Sequence, residues 1–319
     1  MGTGTALEIV GLRKRYGHRT AVDGVDIVVP EGEIFGILGP NGSGKTTTVE
    51  CAYGLRRCDS GRVRLFGTLD PQAQPDRVAG LVGVQLQDSA LPDRLRVGEA
   101  VHLFASLARH RVDEAAVMAE WGLTGRRDAS FGSLSGGQRQ RLFVALALVA
   151  RPRLVFLDEM TTGLDPADRR EVWDLVGRVR AEGTTVVLVT HFMDEAERLC
   201  DRVAVMVGGR VVAEDTPGGL VDRYGGGTRV RFASNDLDGD RNDGDGIDLD
   251  GIGPLPGVVE AGRVDGTVAV RGTGAFLTAL GHHLHVTGHA DTELSVERVG
   301  LEEAYVALLA SGNHPEEAS

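Results

Sequence analysis

Gly39, Pro40, Asn41, Gly42, Ser43, Gly44, Lys45 and Thr46 follow the pattern G-x-x-x-x-G-K-[ST], and no other stretch restricts the fold of this chain as tightly. The apolar run before it, residues 34–38, predicts a buried strand of a parallel sheet. Residues 46–54 after it predict a helix stopped by glycine. Strand, glycine loop and helix in succession make a cradle for phosphate. The glycines let successive backbone N–H groups turn inward, and the helix N-terminus adds partial positive charge. In such a cradle Lys45 stands between β- and γ-phosphates, the Thr46 hydroxyl holds Mg²⁺, and Thr47 belongs to the same nucleotide-binding set. The plain alternative is a glycine-rich turn joining a strand to a helix.

Further strands point the same way. Residues 154–159, Leu-Val-Phe-Leu-Asp-Glu, run apolar and close on two carboxylates, Asp158 and Glu159. That is a fully buried parallel strand with acids at its carboxyl end, where ligands bind in open α/β sheets. A carboxylate there holds Mg²⁺ or polarises water; otherwise the strand merely ends in surface acids. Residues 184–191 repeat the theme and end on His191, either a satisfied core histidine or a hydrogen-bond donor to phosphate. Residues 80–88 predict a strand closing on Gln85 and Gln87. Ser135, Gly136, Gly137 and Gln138 precede a strong helix pattern over 139–151. Ser135 suits an N-cap, and bare amides after it form either a second anion site or simply a capped helix start. Tyr16, near the end of a first strand, either stacks on a base or packs on its neighbours.

Composition limits what surrounds this core. At 319 residues the chain holds one large domain and a smaller one. The longest apolar run, 142–150, is far short of the roughly 18–20 residues of a membrane span. No basic-then-apolar leader opens the chain, so a cytoplasmic protein is expected. Three cysteines without a CxxC pair suggest neither a disulfide framework nor a metal site. Net charge is −12, with 27 basic and 29 acidic side chains over 1–220 against 7 and 17 over 221–319. Neither part has the basic surface that nucleic acid requires, and no nucleic-acid partner is expected.

Taken in order, these segments resemble the ATP-binding subunit of an ATP-binding-cassette transporter, over about residues 6–218. Residues 39–46 match the family's Walker A loop and 154–158 its Walker B strand. Leu134–Gln138 match the LSGGQ signature, and Gly163 to Asp165 lie in the D-loop. The resemblance makes Glu159 the catalytic glutamate, His191 the switch histidine, Tyr16 the adenine-stacking aromatic and Gln87 the Q-loop glutamine. Gln87 is preferred to Gln85 because it ends the strand and leads into the loop. One departure is Met160, where the family usually has proline; a freer turn follows, with every polar residue still present.

The resemblance implies an α/β P-loop NTPase cassette core, residues 6–220, with an inserted helical subdomain at about 88–134 and a small C-terminal α+β appendage over 221–319. It implies ATP and Mg²⁺, the metal held by Thr46, Gln87 and Asp158. It implies a head-to-tail homodimer in which Ser135, Gly136, Gly137, Gln138 and Asp165 complete the partner's site. It also implies a membrane permease partner, with the chain peripheral on the cytoplasmic face of the membrane.

The appendage opens on a glycine-rich hinge at 224–228, and its closing segment resembles cassettes of bacterial drug exporters of the daunorubicin-resistance type. Within it, 235–251 is rich in aspartate but fails the register of a calcium loop: from Asp238, the sixth position is Asp243 and the twelfth Leu249. A solvated, disordered insertion is expected there. Energising a small-molecule or antibiotic exporter is the leading expectation. A soluble cassette ATPase without a transporter, or an importer subunit, stays open at this point.

Overall fold

The apolar runs singled out above lie side by side. A computed structural model describes residues 4–87, 89–233, 249–264 and 267–310, and the chain divides into two units between Pro217 and Gly218. The first unit opens with β1 (Thr5–Tyr16), β2 (Arg19–Pro30), β3 (Ile34–Leu38), α1 (Lys45–Ala52), β4 (Ser60–Leu65), the single-turn α2 (Pro75–Val78) and β5 (Val82–Gln85). Three helices follow, α3 (Val97–Ser106), α4 (Glu114–Glu120) and α5 (Gly136–Leu148). The unit ends with β6 (Leu154–Asp158), α6 (Pro166–Ala181), β7 (Thr185–Thr190), α7 (Met193–Leu199), β8 (Arg202–Val207) and β9 (Arg210–Asp215).

Six strands form one sheet in the order β5-β6-β7-β3-β8-β9, parallel except for the edge strand β9. Every residue of β3, β6 and β7 is buried, which is why these strands read as continuous apolar runs rather than alternating ones. A second, antiparallel sheet, β2-β1-β4, alternates instead. Its inward residues Leu7, Ile9, Val25 and Ile27 share a core with Phe35, Ile37, Val49 and Val187. Because the central strands are parallel, Leu38, Gln85, Asp158 and Thr190 all end at one edge of the sheet. The loops that carry chemistry leave from that edge.

Helix starts follow their caps. Asp113 accepts from the N–H groups of Ala115 and Ala116, and Asp165 from those of Ala167 and Asp168. Ser135 and Gln138 form a reciprocal capping box, so α5 begins at Gly136, three residues earlier than its apolar periodicity alone indicates.

In the second unit, α8 (Pro217–Tyr224) leads into β10 (Thr228–Ala233), α9 (Leu249–Ile252), β11 (Val258–Val264), β12 (Thr267–Gly272), α10 (Phe276–Val286), β13 (Ser295–Arg298) and α11 (Leu301–Ala310). Its antiparallel sheet runs β11-β12-β10-β13. Val230, Phe232, Val268 and Val270 face Phe276, Leu280 and Leu284 across a core of their own. The hinge expected at 224–228 is shorter in the structure, because α8 extends to Tyr224 and β10 starts at Thr228. Most of the acidic run 235–251 lies outside the described residues. Among the described residues, no helix is long and apolar enough to cross a membrane.

Candidate nucleotide site

Between β3 and α1 the chain folds back on itself. Gly44 caps α1 with φ +100°, and a Cβ there would lie 2.3 Å from the Ala21 carbonyl oxygen, so only glycine fits. Lys45, 5% exposed, donates from Nζ to the carbonyl oxygens of Gly39 (2.8 Å) and Pro40 (3.1 Å), closing the loop around its own ammonium. Burial pulls that ammonium below its ordinary pKa, opposed by the charges of Glu159 and Asp158. The Ser43 hydroxyl is buried behind the loop without a hydrogen-bond partner.

The loop forms the floor of a cavity of about 460 Å³. Besides the loop and the start of α1, it is lined by Tyr16, Arg19 and Ala21 from β1 and β2 and by Gln87 and Glu159 from beyond the ends of β5 and β6. Tyr16 is 42% exposed, with the Lys14 ammonium and Arg56 guanidinium each 5.6 Å from its ring centroid. Arg19, which the sequence reading passed over, donates from Nη2 to the Gly42 carbonyl oxygen at 3.2 Å. A lone arginine in the turn after Tyr16 carries no pattern, so only the fold brings it to the cavity.

Asp158 ends β6 just behind the floor, 4% exposed, with Oδ1 buried and unpartnered. Burial pushes its carboxyl up to about 6 and the neighbouring Glu159 charge adds to this, while the Thr46 hydroxyl and Lys45 oppose it. A buried acceptor without a partner, beside a threonine hydroxyl, fits a small hard cation that takes oxygen ligands and completes its shell with phosphate oxygens.

Glu159 follows in the left-handed region at φ +51°, an uncommon conformation for a side-chain-bearing residue. Its carboxylate is held from two sides. Gln87 donates from Nε2 to Oε2 at 3.1 Å, and His191 Nδ1 lies 3.2 Å from Oε1. Gln85 instead is buried and donates to the Leu86 carbonyl. His191 thus reaches the site through Glu159 rather than by lining the cavity.

Ser135, Gly136, Gly137, Gln138 and Asp165 are brought together elsewhere, at the starts of α5 and α6, and none of them lines this cavity. A Cβ on Gly136 would lie 3.9 Å from the Gly163 carbonyl oxygen, so the two loops adjoin.

A phosphate loop between β3 and α1, with a carboxylate pair at the end of β6 and a helical insertion before it, defines a P-loop nucleotide hydrolase of the cassette class. The family model described as ABC transporter matches residues 22–162. The daunorubicin/doxorubicin resistance ATP-binding protein DrrA of Streptomyces peucetius is 43% identical over 225 residues, 69% of this chain and 68% of that protein. The Nod factor export ATP-binding protein I of Ralstonia nicotianae is 39% identical over 244 residues, 74% of this chain and 75% of that protein. A solved ATP-binding subunit of an ABC transporter superposes with TM-score 0.62 at 26% identity, covering 69% of this chain and 93% of that one. The chain belongs to the ATP-binding subunits of ABC transporters, enzymes that hydrolyse ATP in concert with a membrane permease.

Proposed function

We propose that two copies of this chain form a head-to-tail ATP-binding pair that energises an exporter of small molecules, drugs or antibiotics among them, on the cytoplasmic face of the membrane. One observation carries the pairing. The cavity of a single chain has its phosphate loop and its hydrolytic carboxylate, yet the Ser135–Gln138 helix start and Asp165 do not line it. A second copy bringing its own α5 start to the open side completes the site. The export direction rests on the names of the relatives, a daunorubicin/doxorubicin resistance protein and a Nod factor export protein.

The chemistry follows from the residues. Lys45 neutralises charge between the β- and γ-phosphates, and Tyr16 offers its ring to the base. Mg²⁺ would be held by Asp158, Thr46 and Gln87, and would supply charge neutralisation to the phosphates. Glu159 orients a water for attack on the γ-phosphorus and accepts its proton as the bond to ADP breaks. His191 fixes the Glu159 carboxylate and is near enough to sense the γ-phosphate through it. Gln87, bonded to the same carboxylate, leads directly into the helical insertion, so loss of the γ-phosphate is felt where a permease would dock.

Glu159→Gln tests this reading. ATP affinity should stay within about twofold while hydrolysis falls by at least ~10²-fold. With ATP and Mg²⁺ the variant should elute as a dimer, and with ADP as a monomer. Adding Ser135→Arg should abolish the dimer and leave ATP binding intact. Wild-type hydrolysis by Glu159→Gln sinks the catalytic assignment, and slow hydrolysis by a protein that stays monomeric sinks the pairing. For the exporter, a neighbouring reading frame with six membrane spans and no cassette of its own is the expected partner.

A further inference from the structure

Behind the site lies a carboxylate that the chemistry above does not use. Glu195, on the first turn of α7, has no exposed surface. Its Oε1 accepts from the Thr161 hydroxyl at 2.9 Å and from the Trp173 indole N–H at 3.0 Å, and the Thr190 hydroxyl faces the same carboxylate. Burial raises its pKa, opposed by the hydroxyls of Thr190 and Thr161 and by the Trp173 indole. An apolar side chain would fill the same volume at lower cost, since taking a carboxyl out of water is unfavourable. What the carboxyl adds is connection.

The connected segments are those carrying the catalytic pair. Thr161 comes two residues after Glu159, with the fully buried Met160 between them. Thr190 ends β7 immediately before His191, and its Oγ1 accepts from the Phe192 N–H at 3.0 Å. Trp173, 7% exposed on α6, anchors the same oxygen from the helix that follows the Glu159 turn. One buried oxygen therefore ties the turn after Glu159 to the helix after His191. Glu159 sits at φ +51°, and a backbone in that region persists only where its surroundings hold it.

We infer that Glu195 is a positioning residue that fixes the Glu159 turn against the His191 turn through Thr161 and Trp173, and so sets the geometry of the hydrolytic pair. The inference rests on the reading of Glu159 and His191 as that pair. Glu195 and its two donors do not line the nucleotide cavity. Breaking the tie therefore slows hydrolysis and leaves nucleotide affinity in place, which a general loss of folding does not do.

The test uses the full chain and three measurements: steady-state ATPase kinetics, affinity for a fluorescent ATP analogue, and thermal midpoint. Thr161→Val keeps the shape and removes the donor; kcat should fall at least fivefold with analogue affinity within twofold. Trp173→Phe, which removes the second donor, should act in the same direction. Glu195→Gln keeps an oxygen at Oε1 for both donors and should retain most of kcat, whereas Glu195→Leu removes the acceptor of both and should lose at least as much as Thr161→Val. The double variant Thr161→Val with Glu195→Leu should be no worse than Glu195→Leu alone, because the Thr161 bond is already lost with its acceptor. If Glu195→Leu does not fold, the Thr161→Val and Trp173→Phe results decide. Wild-type kcat in both of those, or losses of affinity that match the losses in kcat, overturns the inference. Should Glu159→Gln itself hydrolyse ATP at the wild-type rate, the underlying reading fails instead.

Discussion

Lys45 serves the loop before any nucleotide arrives. Its ammonium bridges the Gly39 and Pro40 carbonyls at 2.8 and 3.1 Å, so the charge is already aimed into the loop. Lys45→Ala removes both the anchor and the cation, and charge-assisted hydrogen bonds are worth about 1.5–3 kcal/mol each. ATP affinity measured by titration calorimetry should fall more than ~30-fold. Arg19→Ala should cost less, about threefold to tenfold in the same assay, since the guanidinium is exposed and meets its ligand from the rim. The two residues also mark what sequence alone conveys at this scale. Lys45 stands in a spaced pattern whose chemistry is fixed, and Glu159 closes an apolar run that needs no polar end. Arg19 stands in a turn and Glu195 in the acidic first turn of a helix, where solvated side chains are the ordinary reading. Only packing turns the first toward the cavity and the second into the core.

At the scale of elements, the contact between β5 and α5 joins the sheet to the helix that carries Ser135. Gly83 makes it possible. A Cβ there would come 2.1 Å from the Ala147 carbonyl oxygen, in the last turn of α5. Gly83→Ala must push the helix off the sheet, and overpacking of this kind costs about 1–3 kcal/mol, to be read by chemical denaturation. The same variant should weaken ATP-dependent dimer formation, because the start of α5 moves with its body. The long elements are legible from sequence because burial writes its period into them: β3, β6 and β7 as apolar runs, α6 as an amphipathic stripe that starts at its Asp165 cap. β13 has four residues and α8 carries two glycines after its proline, so neither offers a period long enough to detect. Their state is set by tertiary pairing, β13 by β10 across Thr228 to Arg231.

Across the whole molecule, every residue lining the nucleotide cavity falls between Tyr16 and Glu159, and among the described residues the core beneath it draws on none past Val211. A chain ending at Pro217 should therefore fold and bind ATP within about twofold of the full chain, as checked by the same calorimetric titration. A larger loss would make the C-terminal unit part of the nucleotide site. Lysine is distributed with unusual economy over that same length. Among 34 cationic side chains only Lys14 and Lys45 are lysines, and arginine guanidinium is far too basic to be acylated at neutral pH. Lys14 is paired with Asp59 at 3.0 Å, which raises its pKa and suppresses its free amine, whereas burial shifts Lys45 the other way. An ATP-shaped acylating reagent thus meets only two ε-amines in the chain, and burial shifts the one in the cavity floor, Lys45, toward its free-amine form. Covalent tagging of lysine in this protein has two addresses to tell apart, and the tag on Lys45 reads out whether the site is occupied.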